Sequence, residues 1–259
     1  MGIIITIANQ KGGVGKTTTA INLSASLGVL EQKVILVDID PQSNSSSGLG
    51  VNVRELEKTV YDVMLDQEDI HEVIIPTNYP NLSLLPASIN LVGAEIELVN
   101  QENRETKLKT VLDKISYDYD YIIIDSPPSL GLLTVNGLTA ANSVIIPVQC
   151  EYYALEGLGQ LLNTISLVKH NFNPELDIEG VLMTMHDSRL RISNSVIEDV
   201  RKHFGEKVFK TIISRNVRLA EAPSFNMPVI EYDVTSTGAQ NYLSLANEIL
   251  KKHKKLKLI

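Results

Sequence analysis

Short apolar runs alternate along this chain with longer stretches in which apolar residues recur every three or four positions. Runs such as Ile3-Ile4-Ile5-Thr6-Ile7-Ala8, Val34-Ile35-Leu36-Val37 and Tyr121-Ile122-Ile123-Ile124 are rich in β-branched residues and bounded by polar turns. Continuous rather than alternating apolar character marks strands buried on both faces. Strands are therefore expected at 3–8, 33–37, 82–85, 121–124, 143–148 and 178–185, with a short one at 229–230. Helical periodicity predicts helices over 16–29, 59–66, 88–99, 104–115, 131–140, 155–170, 190–204 and 237–254. This alternation is that of an α/β fold, a mostly parallel sheet with helices on both faces, in a single domain over 1–259 with a basic tail at 251–259. Such sheets bind ligands outside the carboxyl ends of their strands. Polar residues gather there in four places: Lys11 to Thr18, Asp38 to Asn44, Asp125 to Ser129, and Gln149 to Tyr153.

The bulk numbers narrow the class. A chain of 259 residues that is 44% hydrophobic and 21% charged can bury a sizeable core. The single cysteine, Cys150, follows Ile145-Ile146-Pro147-Val148 and reads as a buried, inert strand-end residue; alone it makes neither a disulfide nor a thiolate cluster. Neither a secretory leader nor a membrane-length apolar run is present, so a cytoplasmic protein is expected. A net charge of −8 opposes uniform nucleic-acid binding and confines any such contact to a local patch.

The sharpest chemical signal is Lys11-Gly12-Gly13-Val14-Gly15-Lys16-Thr17-Thr18, directly after the first strand. Glycines in a strand-to-helix turn free backbone N–H groups to converge on phosphate oxygens. Lys16 adds a point charge, Thr17 a hydroxyl for Mg²⁺, and the helix that follows presents its positive end. The common form of this loop has glycine five residues before Gly15, where this chain has Gln10; the added feature is a second lysine, Lys11. Past the second strand stands Asp38-Ile39-Asp40-Pro41-Gln42-Ser43-Asn44. Phosphoryl transfer to water needs a group that orients the attacking water. Asp40 is the candidate, with Asp38 holding the loop or the metal's water shell. Tyr121-Ile122-Ile123-Ile124 ends in Asp125-Ser126-Pro127-Pro128, the arrangement in which a strand-end carboxylate reaches Mg²⁺.

With these motifs, and with Glu151-Tyr152-Tyr153-Ala154-Leu155-Glu156-Gly157 and Arg215-Asn216-Val217-Arg218-Leu219-Ala220-Glu221-Ala222-Pro223-Ser224, nearly the whole chain resembles the ParA/Soj family of chromosome- and plasmid-partitioning ATPases. The resemblance implies ATP and Mg²⁺ as cofactors and a homodimer that sandwiches two ATP molecules, with Lys11 reaching the partner's nucleotide. It implies slow hydrolysis stimulated by a ParB-type centromere-binding protein, whose N-terminal segment is basic. It places Asn216 near the nucleotide base, where the family usually has proline at the position of Ser214. It also implies non-specific double-stranded DNA binding and a nucleoid-associated location. Arg218 matches a DNA-contacting position, with Arg189, Arg191, Arg201, Lys202, Lys210 and Arg215 as neighbours in a patch assembled by dimerisation. The loop begins near residue 10, leaving no room before it for a helix-turn-helix domain.

The runner-up is a MinD-like membrane-cycling ATPase. The tail Lys251 to Ile259 is basic, but its apolar face is only Leu256, Leu258 and Ile259, without an aromatic anchor. It reads as a solvated helix end, with auxiliary DNA contact and membrane binding as lesser alternatives. Glu151-Tyr152-Tyr153 either lines a dimer seam or covers the sheet edge, the latter being the reading adopted. One cysteine excludes a bridging iron–sulfur cluster. The tail lacks the tyrosines of a related bacterial kinase, and no substrate pocket of a biosynthetic ligase is legible.

Overall fold

The apolar runs form strands close to where the sequence puts them. The computed structural model describes residues 1–152, 154, 155 and 157–256. Tyr153 of the Glu151–Tyr153 segment, Glu156, and Lys257, Leu258 and Ile259 of the tail lie outside the described residues. The strands are β1 (Ile3–Ile7), β2 (Val34–Asp38), β3 (Ile75–Pro76), β4 (Leu82–Leu85), β5 (Tyr121–Asp125), β6 (Ser143–Gln149) and β7 (Asp177–Thr184). They form one sheet in the order β3-β4-β2-β5-β1-β6-β7, parallel throughout except for the β3–β4 edge. Its register sets Asp38 of β2 and Ile7 of β1 on either side of Asp125 of β5. Two strand-end carboxylates and the loop after β1 thereby meet at one edge of the sheet.

The helices are α1 (Lys16–Val29), α2 (Asn44–Gly48), α3 (Val60–Met64), α4 (Ile70–Val73), α5 (Leu91–Glu97), α6 (Lys107–Asp113), α7 (Leu132–Ala140), α8 (Leu158–Asn171), α9 (Arg191–Phe204), α10 (Val217–Glu221), α11 (Val229–Tyr232) and α12 (Thr237–Leu256). Alternate strand residues feed two separate cores, as the pleat requires. Ile4, Ile35, Val37, Ile122, Ile124, Val144 and Ile146 pack beneath α3 to α9. Ile5, Ile7, Val34, Leu36, Ile123, Ile145 and Leu182 pack beneath α1, α11 and α12. Because α1 is wedged between the sheet and α12, it is buried on nearly every side, including its first residue, Lys16. In α9 only Val196, Ile197, Val200 and the small Ser193 turn inward, leaving a polar face outside.

One expected strand is absent. Residues 229–230 lie in α11: Pro228 sets an extended lead-in, the Val229 N–H is taken by Asn22 Oδ1 at 2.7 Å, and both side chains bury against α1 and α12 rather than pair in the sheet. Three short helices, α2, α4 and α10, and the two-residue edge strand β3 span too few residues to show a period in the sequence. The helix expected at 88–99 is α5 followed by a 3₁₀ turn at Leu98–Asn100, and that at 104–115 starts as a 3₁₀ turn before α6. Cys150 is buried as expected, and burial pushes its thiol up to about 11. No helix among the described residues is long and apolar enough to cross a membrane.

Candidate nucleotide site

The loop between β1 and α1 is shaped by its glycines. Gly13 (φ 74°) and Gly15 (φ 92°) hold left-handed backbone that an L-residue rarely adopts, and Gly15 is the N-cap of α1. A Cβ at Gly12 or Gly13 would meet nothing within 4 Å, so this stretch borders open space rather than packed protein. That space is a cleft of about 320 Å³ lined by the loop from Gly12 to Thr18, by Asp40 and Gln42, and by Pro128 and Met185. The positive end of a fourteen-residue helix opens directly into it. Lys16 folds back so that its Nζ donates to the Lys11 carbonyl at 3.2 Å. Burial lowers the pKa of this ammonium, while Asp125 and Asp40 act to keep it charged.

The acids sit below the cleft, each fixed by named donors. Ser46 donates to Asp38 Oδ2 from both its N–H (2.9 Å) and its hydroxyl (2.8 Å), and the Asp40 N–H donates to Oδ1 at 3.1 Å. Asp38 is therefore sealed beneath the turn and does not face the cleft. Asp40 lines the cleft, and its Oδ1 accepts the Gln42 N–H at 2.9 Å. Ser45 donates to Asp125 Oδ2 at 2.7 Å, whereas the fully buried Oδ1 has no hydrogen-bond partner among the described residues. Burial, then the Asp125 charge, raises the Asp38 pKa well above the carboxylate range. Burial also raises that of Asp125, against the pull of Ser45, Thr17 and Lys16.

Two carboxylates, Asp125 and Asp40, thus stand by the Lys16 ammonium, and the buried Asp125 Oδ1 lacks a donor among the described residues. That unpartnered carboxylate oxygen, beside the Thr17 hydroxyl, fits a divalent cation. No cluster of three His, Cys, Asp or Glu side chains is assembled for one among the described residues. A cation held by Thr17 and Asp125 would complete its shell with nucleotide phosphate and water, as Mg²⁺ characteristically does.

A second cavity of about 280 Å³ adjoins the cleft through the shared Gly15, Thr18 and Met185. Its outer wall is the segment Ile213 to Asn216. Asn216 lines it, and its Oδ1 caps α10 by accepting the N–H groups of Arg218 (2.9 Å) and Leu219 (3.3 Å). The apolar lining, from Ile213, Leu219, Met185 and the ring of Tyr242, suits a flat heterocycle extending from phosphates in the cleft. Sequence reasoning missed Thr184, Met185, Ser45 and Ser46. Met185 carries an unusual φ of 53° just past β7, and Thr184 donates to the Val14 carbonyl at 2.8 Å. The serine run at 45–47 was the only visible signal for the last two.

Lys11 does not line its own cleft. Its side chain is 38% exposed and lies 4.0 Å from Glu151 Oε2. Gln10, in the place of the usual glycine, packs against Gly157, where a Cβ would come within 2.3 Å of its Nε2. Tyr152, one of the two tyrosines expected to cover the sheet edge, is 76% exposed.

The candidate arginines fall into separate places. Arg189 is 85% exposed and grips Asp187 through two bonds of 2.9 and 2.6 Å; Arg191 opens α9, and the Arg215 charge is felt at Asp187. Arg218, on α10, is paired with Glu221 (2.8 Å) and Asp233 (3.3 Å) and lies over the Tyr232 ring. Arg201 and Lys202 sit at the far end of α9, roughly 15 Å from Arg191. The Lys210 N–H is tied to Glu248.

Residues 2–178 match a family model described as an AAA domain. The sporulation initiation inhibitor protein Soj of Bacillus subtilis is 57% identical over 249 residues, spanning 96% of this chain and 98% of its own. The chromosome partitioning protein ParA of Myxococcus xanthus is 55% identical, spanning 97% of this chain and 89% of its own. The chain belongs to the ParA/Soj family. Solved structures place the family fold beside nucleotide. A Mycobacterium smegmatis protein described as cobyrinic acid a,c-diamide synthase, bound to an ATP analogue and magnesium, is 39% identical with a TM-score of 0.87, covering 98% of this chain and 96% of its own. A protein of Borrelia burgdorferi described as a plasmid partition protein, bound to AMPPNP, is 30% identical with a TM-score of 0.82, over 97% and 100% of the two chains. MinD of Pyrococcus furiosus shares the fold at a TM-score of 0.81 but only 26% identity, over 97% and 99%, so MinD is the more distant relation of this ParA/Soj chain.

Proposed function

We infer that this ParA/Soj chain is a single-domain, ATP-dependent DNA-partitioning ATPase. In this reading it closes into a homodimer around ATP, binds double-stranded DNA without sequence preference on the nucleoid, and is reset by hydrolysis that a ParB-type partner accelerates. The observation that supports it is the outward Lys11, a second cation that is exposed beside the phosphate cleft but does not line it; in this reading it reaches a facing copy's nucleotide.

The roles follow from position. Backbone N–H groups from Gly12 to Thr18 and the Lys16 ammonium hold the phosphates, with Thr17 and Asp125 as the protein ligands of magnesium. When bound, ATP with magnesium supplies the transferable phosphoryl group and the cation that offsets its charge. Asp40, at the cleft wall with one oxygen tied to the Gln42 N–H, orients the attacking water. Asp38 holds the turn that carries Asp40. Asn216 borders the base. Lys11, supplied in trans, neutralises charge as an arginine finger does, an effect worth roughly 10³–10⁵ in rate. Two weak arginine patches brought together by the dimer add their phosphate contacts, which overcomes the net charge of −8. Basal hydrolysis is slow in this reading because nothing within one chain completes the site.

The reading is tested by sedimentation with ATP and Mg²⁺, offering plasmid DNA and anionic liposomes in parallel. Salt-sensitive DNA binding that is lost in Lys16→Ala is expected. ATP-dependent liposome binding that disappears on deleting residues 251–259 would overturn it in favour of membrane cycling. Asp40→Ala should retain ATP-dependent dimers and stop turnover; normal turnover in that variant moves the water-orienting role elsewhere.

A further inference from the structure

The base-side wall of the nucleotide site is not held by the sheet alone. Ile213 and Arg215 take part in strand-like bonds beside the end of β7: the Ile213 N–H to the Met183 carbonyl (2.9 Å), the His186 N–H to the Ile213 carbonyl (3.0 Å) and the Arg215 N–H to the His186 carbonyl (2.9 Å). The residue between them faces the other way. The Ser214 N–H donates to the side-chain Oδ1 of Asn241, on α12, at 3.0 Å. Around this bond α12 is fitted to the same wall. A Cβ at Gly238 would come within 2.7 Å of Leu219 Cγ and 3.3 Å of Asn216 Oδ1, so the first turn of α12 approaches as closely as glycine permits. One residue past Asn241, the buried Tyr242 hydroxyl bonds Thr19 Oγ1 of α1 at 3.1 Å. A single turn of α12 therefore braces both the wall of the base cavity and the helix that follows the phosphate loop.

We propose that Asn241 is a positioning residue for the nucleotide base: by accepting the Ser214 N–H, its carboxamide sets where the Ser214 to Asn216 backbone stands. The assignment rests on the reading of the two joined cavities as one nucleotide site. Asn241 lines neither the cleft nor the base cavity, so it acts only through Ser214. Removing the acceptor leaves a half-buried N–H unpaired beside the cavity, and the wall loses its fixed distance from the phosphate loop. One hydrogen bond of this kind corresponds to about 3–10-fold in affinity. The loss should fall on ligands that possess a base and spare those that do not.

The experiment compares ATP with inorganic tripolyphosphate, which offers the phosphates without base or ribose, by calorimetric titration in the presence of Mg²⁺. Asn241→Leu, close in size but without the acceptor, is expected to weaken ATP about 3–10-fold and leave tripolyphosphate within twofold of wild type. Ser214→Pro removes the N–H itself, so Asn241→Leu added to Ser214→Pro should produce no further loss of ATP affinity. Equal weakening of ATP and tripolyphosphate by Asn241→Leu, no weakening of either, or additive losses in the double variant would each overturn the proposal. If Asn241→Leu fails to fold, Asn241→Ser with the same two ligands decides, and unaltered ATP affinity there counts against the proposal. Wild-type protein that binds neither ligand would instead refute the nucleotide-site reading itself.

Discussion

Replacing Glu179 by glutamine removes one negative charge from a buried polar cluster at the opposite end of the strands from the nucleotide site. Glu179, on β7, has a side chain only 5% exposed. Its Oε2 accepts from the Ser143 hydroxyl at 2.7 Å and lies 3.2 Å from His253 Nε2, and its Oε1 pairs with Lys252 Nζ at 2.7 Å. The second ring nitrogen of His253 is 2.9 Å from the Tyr121 hydroxyl. Burial alone would raise the Glu179 pKa, but bonds from His253, Lys252 and Ser143 outweigh it and hold the group at about 2, against 4.5 when free. That difference corresponds to roughly 3 kcal/mol in favour of the folded state at neutral pH. Because the folded pKa is the lower one, this stability is fully present above 4.5 and is lost as pH falls from 4.5 toward 2. Urea unfolding of Glu179→Gln should therefore show a deficit of about 3 kcal/mol at pH 7 that shrinks to about half near pH 3. A deficit below about 1 kcal/mol at pH 7, or one unchanged between pH 7 and pH 3, would refute the reasoning, since it would mean the cluster does not hold the carboxylate charged.

Other consequences can be checked as directly. Gly157→Ala forces a side chain onto left-handed backbone (φ 86°) and against Gln10, so it should cost about 1–2 kcal/mol in thermal or urea unfolding and weaken ATP binding through the displaced loop; wild-type values for both would contradict that packing. Cys150, buried and with its thiol pushed up to about 11, should resist alkylation at pH 8 in folded protein and react at once in denaturant, as followed by mass spectrometry. Arg218→Ala should weaken DNA binding and lower the slope of log affinity against log salt by about 1, because Arg218 must exchange Glu221 and Asp233 for a phosphate; an unchanged slope removes it from the interface.

The parts of this molecule legible in the sequence are those where one residue type repeats or where geometry is local. Runs such as Ile122-Ile123-Ile124 can only be buried strand, and the glycines around Lys16 can only be a turn open to a ligand. Residues 229–230 misled because two apolar residues after a proline bury equally well in a helical turn, and nothing local distinguishes the two outcomes. The base cavity was illegible beyond Asn216 because its wall is brought together from β7, the segment 213–216 and α12, which are far apart in the chain. The function of Gln10 was hidden for the same reason: its partner, Gly157, lies across the fold. The sequence assigns Asp40 to the attacking water and Asp38 to the loop or the metal's water shell, from their order past the strand alone. The fold supplies the physical reason, sealing Asp38 under Ser46 and leaving Asp40 at the cleft.

In the proposed function, Lys11 serves a facing copy's nucleotide rather than its own. Sedimentation velocity of wild type and Lys11→Ala, with Mg²⁺ and either ATP or ADP, tests it most directly when paired with a titration of ATP into monomer. Wild type is expected to dimerise with ATP and not with ADP, while Lys11→Ala stays monomeric with ATP yet binds ATP within a few-fold of wild type. Dimers of Lys11→Ala as stable as those of wild type, or a loss of ATP binding by the monomer, would contradict it.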